Sequence, residues 1–174
     1  MLKRFLWVMA PAFLLAGARG LQASSDSWQP FQFLLGTWVG EGSGQPGKGS
    51  GEFTLAPDLG GKILVRKNHS DIAAAGGRPA ATHDDLMIIY PGEKGKSPRA
   101  IYFDNEGHVI NYTVTSLPGE LVFLSEAAAS APRFRLTYKK TGDDTVSIKF
   151  EFAPPGKPDA FRPYIEASAR RKNP

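Results

Sequence analysis

The sequence predicts an all-β protein, an antiparallel up-and-down meander of about ten strands closed into a barrel. Three observations carry that expectation. Two segments alternate apolar and polar side chains with period two. In "TVSIKFEF", Val146, Ile148, Phe150 and Phe152 fall on one side; in "RFRLTYKK", Phe134, Leu136 and Tyr138 do so. No amphipathic helical stretch competes with these patterns after Gly36. Short turn-forming stretches, "PDLGG", "DNEG", "LPGE" and "KTGDD", punctuate the chain at hairpin spacing.

Taken in order, the chain opens with "MLKRFLWVMAPAFLLAGA", in which Lys3 and Arg4 precede an apolar run and the small residues Ala16, Gly17 and Ala18. That is the layout of a secretory signal peptide over 1–18, with cleavage after Ala18 or as late as Ala23. The run falls short of the roughly 20 residues a membrane-spanning helix needs. The expectation is therefore a periplasmic or secreted protein with no stable membrane insertion after cleavage. A lead-in over 19–35 includes "QPFQFLLG", where Pro30 starts and Gly36 stops one helical turn. A single domain over 36–172 follows. Besides the two clear strands, alternation predicts strands over 38–42, 51–56, 62–70, 82–90, 100–104, 108–115, 120–126 and 164–171. Two longer loops interrupt them, "IAAAGGRPAA" and the proline-rich "APPGKPDAFRP". Closing such a meander into a barrel removes every exposed edge; a two-sheet sandwich has the same strand count and stays open as the alternative.

Composition excludes several functions. The chain has no cysteine, so thiol catalysis, Cys-type zinc sites and iron–sulfur clusters are ruled out, and the core alone must supply stability. The formal net charge is +4, of which Lys3 and Arg4 sit in the signal segment. The remaining cations are scattered among acids apart from the C-terminal "ARRK", which gives no nucleic-acid footprint. "HDD" and "DNEGH" lack metal-ligand spacing. No G-x-S-x-G elbow is present. The glycines after Trp38 run into a strand pattern, which excludes a phosphate loop.

Gly36-Thr37-Trp38 heads the first predicted strand, and this G-x-W resembles the signature of calycin-type barrels, the lipocalins, fatty-acid-binding proteins and their relatives. The resemblance implies a tryptophan that plugs one barrel end under an arginine from the last strand, here Arg170 or Arg171. Glycines at 40, 42 and 44 extend the likeness toward nitrobindin-type barrels, as does "RPAATHDDLMIIY", where His83 and Asp85 stand where that group carries His-x-Glu. The heme ligand of that group is a histidine near the C-terminal strands. The three histidines here are His69, His83 and His108, with Tyr164 the one oxygen donor considered in its place, so the expectation is a barrel without a heme cofactor.

His83 and Asp85 lie two apart on a predicted strand and share a face. On an inward face they would orient a polar group or move a proton; at the barrel mouth they would form a local ion pair. Arg66 and Asn68 likewise share a face, either turned inward toward an oxygen-rich head group or solvated. Aromatics spread over most strands, Tyr112 among them, predict apolar walls. The leading expectation is an exported, non-catalytic barrel holding a small, mostly apolar or amphipathic ligand, contacted by Arg66, Asn68, His83, Asp85 and Tyr112. The alternatives are an acid/base enzyme using His83 with Asp85, and a filled barrel serving a structural or partner-binding role in the cell envelope.

Overall fold

A computed structural model describes residues 28–41, 49–74, 77 and 79–172; the expected signal segment, and Gly42 and Gly44 of the glycine run, lie outside the described residues. A 3-10 helix over Gln29–Leu34 precedes ten strands. These are β1 (Gly36–Glu41), β2 (Gly49–Asp58), β3 (Ile63–Ile72), β4 (Ala81–Tyr90), β5 (Arg99–Asp104), β6 (Val109–Leu117), β7 (Glu120–Ser125), β8 (Arg133–Lys140), β9 (Thr145–Ala153) and β10 (Arg162–Arg171). Each strand pairs antiparallel with the next, and β10 pairs back onto β1. The sheet is a closed barrel, and the two-sheet alternative is excluded.

Element ends differ from the sequence expectation where a turn residue gave no warning. β3 continues to Ile72, pairing with Ala81. β10 begins at Arg162, two residues before the expected start, because a bulge between Pro163 and Ile165 accommodates the proline without breaking the ladder. The proline-rich loop between β9 and β10 returns over the outer face. Phe161 sits 4.1 Å above the Arg135 guanidinium, which holds Glu151 through two contacts of 2.6 and 3.0 Å. Period-two logic places Glu151 on the outer side, yet it is only 5% exposed under this cover.

Register assigns the inner face. Trp38 pairs with Phe53, Phe53 with Asn68, Asn68 with Asp85, and Asp85 with Asp104. At the end bearing the β2–β3, β6–β7 and β8–β9 turns, the inner residues Trp38, Leu55, Leu64, Leu121, Tyr138 and Val146 are fully buried. This half is packed solid.

The plug of that end is built from the lead-in and the two terminal strands. Gly36 adopts φ +112°, which an L side chain rarely takes, and a Cβ there would meet the Arg171 Nη1 at 2.9 Å. Glycine thus lets the chain turn from helix to strand beneath a guanidinium. The Trp38 indole donates to the Leu34 carbonyl at 2.8 Å and stacks on Phe53, with ring centroids 6.1 Å apart. Arg171 lies over the indole at 4.4 Å, donates to the carbonyls of Leu35 and Phe33, and pairs with Asp144 at 3.2 Å. Arg170, one residue out of phase, faces outward and is exposed, because successive strand residues alternate sides. Trp28 donates to the Gly61 carbonyl at 2.8 Å, tying the lead-in to the β2–β3 turn.

Truncating Trp38 removes a fully buried indole together with its stacking and hydrogen bond. Trp38→Ala is expected to lower unfolding free energy by about 3–5 kcal/mol, read by urea denaturation. An unchanged midpoint would show that the indole does not support the closed end.

Candidate functional site

Toward the opposite end the inner face loosens. Tyr102, Ile110, Phe134, Ile148 and Phe150 face inward but are only partly buried, in contrast to the layer below. The inner face is thus packed at the Trp38 end and partly exposed at the other, the mouth or cup of the barrel. β4 and β9 stand five places apart in the ten-strand ring, so they form opposite walls.

One wall is aromatic. Phe134 and Phe150 stack with centroids 5.7 Å apart and planes within 9°. Tyr164, the extra residue of the β10 bulge, sets its ring edge-on to Phe150 at 6.2 Å and to Phe152 at 6.3 Å. Four adjoining rings on three neighbouring strands make an apolar wall, of which Phe134 and Phe150 share one ring orientation.

The facing wall is polar and charged. Asn68 faces inward from β3 and donates through Nδ2 to Ser70 Oγ at 3.3 Å. Arg66, on the same face, is buried beneath it. Its Nη1 donates to Asp85 Oδ1 at 2.5 Å, and its guanidinium lies 5.3 Å from the Phe53 ring and 5.9 Å from the Tyr138 ring. Burial opposes the cation, but Tyr138 and Asp85 hold its pKa above the ordinary arginine value. Asp85 Oδ2 stands 3.5 Å from His83 Nε2, so one carboxylate joins both cations.

His83 is clasped on its other side by Glu106, Nδ1 to Oε1 at 3.1 Å, and its Nε2 lies 3.1 Å from the Tyr102 hydroxyl. The Asp85 hydrogen bond, against partial burial and with help from Glu106, raises its pKa to about 9. At neutral pH His83 is an imidazolium. Tyr102 donates to Asp104 Oδ2 at 3.1 Å. Asp104 also receives the backbone N–H groups of Glu106 and His108 and the imidazole of His108 at 2.8 Å. Although burial opposes its ionisation, these bonds hold Asp104 below the usual carboxylate range. Tyr102 is pushed upward by burial and by Asp85 and Asp104, and stays a phenol.

Of the residues nominated from sequence, Arg66, Asn68, His83 and Asp85 come together on the polar wall. Tyr112 faces inward from β6 and packs edge-on against Phe123 at 6.3 Å. His69 projects to the outer face, bonded to Asp84 at 2.7 Å. Sequence reasoning left Tyr102, Asp104 and Glu106 out of the site. The signal was available in part: Tyr102 and Asp104 share a face by period two, and "DNEGH" places Glu106 and His108 within one tight turn of Asp104.

A closed ten-strand antiparallel barrel with one end plugged and one cupped is consistent with a calycin- or lipocalin-like architecture. No protein-family model matches the chain, and no curated protein matches it either. Nine solved chains match. One of them, the S-type phycobiliprotein lyase CPES from Guillardia theta, is similar over 83% of this chain and 92% of its own length, with 10% identity and a TM-score of 0.46.

The clasp on His83 has a pH signature. Its pKa is raised from 6.5, so the stability it contributes is complete below about 6.5 and is lost as pH rises through about 9. An NMR titration of the His83 ring should have its midpoint near 9, and Glu106→Gln should bring it down; a midpoint near 6.5 in the native chain contradicts the clasp. The Arg66–Asp85 pair makes a second prediction. Asp85→Ala strands a buried cation and should cost about 3–5 kcal/mol, whereas the apolar pair Arg66→Met with Asp85→Leu should cost less than the single change. Urea denaturation of the three proteins checks that order.

Proposed function

We propose that the protein is a non-catalytic binding protein that takes a small, largely apolar molecule into the mouth of its barrel. The observation that carries this reading is the division of the mouth into an aromatic wall of Phe134, Phe150, Phe152 and Tyr164 facing a polar wall centred on His83. The apolar body of a ligand would lie on the rings, and its polar end would turn to Asn68, Tyr112 and the charged cluster. Such a concave, mostly apolar surface with a few convergent polar groups suits a small-molecule site. The export expected from the first eighteen residues would make the protein a periplasmic or secreted carrier.

The state of His83 argues against its acting as a general base. A general base must be free to accept a proton near working pH, whereas His83 is already an imidazolium held by two carboxylates. The same clasp argues against heme: His83 has no free nitrogen lone pair, His69 is on the outer face, and His108 is engaged by Asp104. The histidine of nitrobindin-type sites thus has no equivalent in this mouth, and kinship with that group would extend to the barrel alone. A partner-binding role has one point in its favour, since Phe103 and Val109 are exposed next to each other on the outer face of β5 and β6.

The test uses N-phenyl-1-naphthylamine, an uncharged probe whose fluorescence rises in apolar surroundings. The chain should bind it, and Phe150→Asp should weaken binding at least tenfold, while Val109→Asp on the outer face leaves it unchanged. Loss of binding with Val109→Asp but not with Phe150→Asp would move the site to the outer surface and reject the carrier reading.

A further inference from the structure

The cations around the cup are already held by carboxylates. Arg66 is neutralised by Asp85 at 2.5 Å, His83 sits between Asp85 and Glu106, and Asp104 is satisfied by Tyr102, His108 and two backbone N–H groups. Two cations, Arg66 and His83, therefore stand against three carboxylates, and no cation is left over to receive an anion. A ligand carboxylate reaching Arg66 would have to compete with Asp85 and would bring a further negative charge beside it. A ligand cation would be desolvated next to Arg66 and His83. Either charge costs several kcal/mol in a poorly hydrated interior unless a new partner meets it.

Unclaimed hydrogen-bonding capacity remains at the same place. Tyr112 is buried on the inner face of β6, and its hydroxyl makes no hydrogen bond among the described residues. Arg66 Nε and the Tyr138 hydroxyl, both buried, also lack partners among the described residues. Asn68 commits its amide nitrogen to Ser70, and its carbonyl oxygen accepts no bond there. What the base of the cup offers is unused hydrogen-bonding groups, the Tyr112 and Tyr138 hydroxyls among them, beside cations that carboxylates already hold.

Building on the carrier reading above, we propose that the ligand is an uncharged, planar molecule bearing a carbonyl oxygen, with Tyr112 donating the hydrogen bond that orients it. A carbonyl accepts from the phenol without a counter-ion, and the planar remainder stacks on Phe134 and Phe150. Tyr112 is also well placed to stay a donor: burial pushes its ionisation above the ordinary phenol range, so it remains protonated at any physiological pH. Specificity for a neutral oxygen over an anion then arises because Arg66 and His83 are already held by carboxylates, not because the wall is apolar throughout.

Three naphthalenes of nearly equal size separate the possibilities: 2-acetylnaphthalene, 2-ethylnaphthalene and 2-naphthoate, each titrated as a competitor of N-phenyl-1-naphthylamine on the full chain. The ketone is expected to bind at least tenfold more tightly than the carboxylate and several-fold more tightly than the hydrocarbon. Tyr112→Phe should erase the advantage of the ketone over the hydrocarbon while leaving the affinity for the hydrocarbon unchanged. It removes a hydroxyl that holds nothing in the fold, and circular dichroism checks that the variant is native. If 2-naphthoate binds as tightly as the ketone or more so, the neutral-ligand inference is overturned and the carrier reading stands. A ketone no better than the hydrocarbon, or a ketone advantage that survives Tyr112→Phe, overturns it in the same way. If none of the three displaces the bound probe, the neutral-ligand inference is overturned; if the probe itself does not bind, the carrier reading falls with it.

Discussion

A single guanidinium, that of Arg171, reaches from the last strand across the indole of the first strand and ends on carbonyls of the segment that leads into it. The contact joins residues at opposite ends of the barrel sequence, so it forms only when β10 has found β1. Cation–π attraction at a buried indole contributes on the order of 1–2 kcal/mol, and the carbonyl bonds add directionality. Its larger consequence is geometric. Because the seam is fixed beneath the 3-10 helix, one end of the barrel has no opening, and any access to the interior must come from the other.

Along the barrel axis the interior then changes character in steps. The plugged end is closely packed and apolar. Above it lies the Arg66–Asp85 pair, and above that the cup with its aromatic and polar walls. A buried ion pair contributes little net stability, because desolvating both ions offsets most of their attraction. Its presence in an otherwise apolar barrel is better understood through what it does to the cup. It sets a polar floor, holds His83 in its charged state through the shared Asp85 carboxylate, and leaves no cation there without a carboxylate. Charge pairing and hydrogen-bonding capacity are thus separated: the cations are taken up by carboxylates, and the Tyr112 and Tyr138 hydroxyls are left over.

Much of this was legible in the sequence, and for a definite reason. Strand periodicity is local, so Phe134, Leu136 and Tyr138 declare their common face within a few residues, and the turns between strands are marked by glycine and aspartate. The strand count followed, and the barrel was the expectation, with closure itself decided by the pairing of β10 with β1. Three features were not legible. The bulge at Tyr164 depends on which residue of β9 it opposes, a register that no local pattern encodes. Glu151 reads as a solvent-facing acid because alternation assigns a side of the sheet, not what lies over that side; Phe161 and Arg135, which cover it, are distant in the chain. The site was visible only as pairs. His83 with Asp85, and Arg66 with Asn68, each follow from spacing on one strand, but the sharing of Asp85 between Arg66 and His83 needs β3 beside β4 in one particular register.

The central claim is that the mouth between the two walls, rather than the outer surface, receives the guest. A crystal structure of the protein grown with N-phenyl-1-naphthylamine tests it most directly. The account predicts the probe inside the open end, its naphthyl ring stacked against Phe150. Density for the probe against Phe103 and Val109 on the outer face, with the mouth closed by its own side chains, would contradict it.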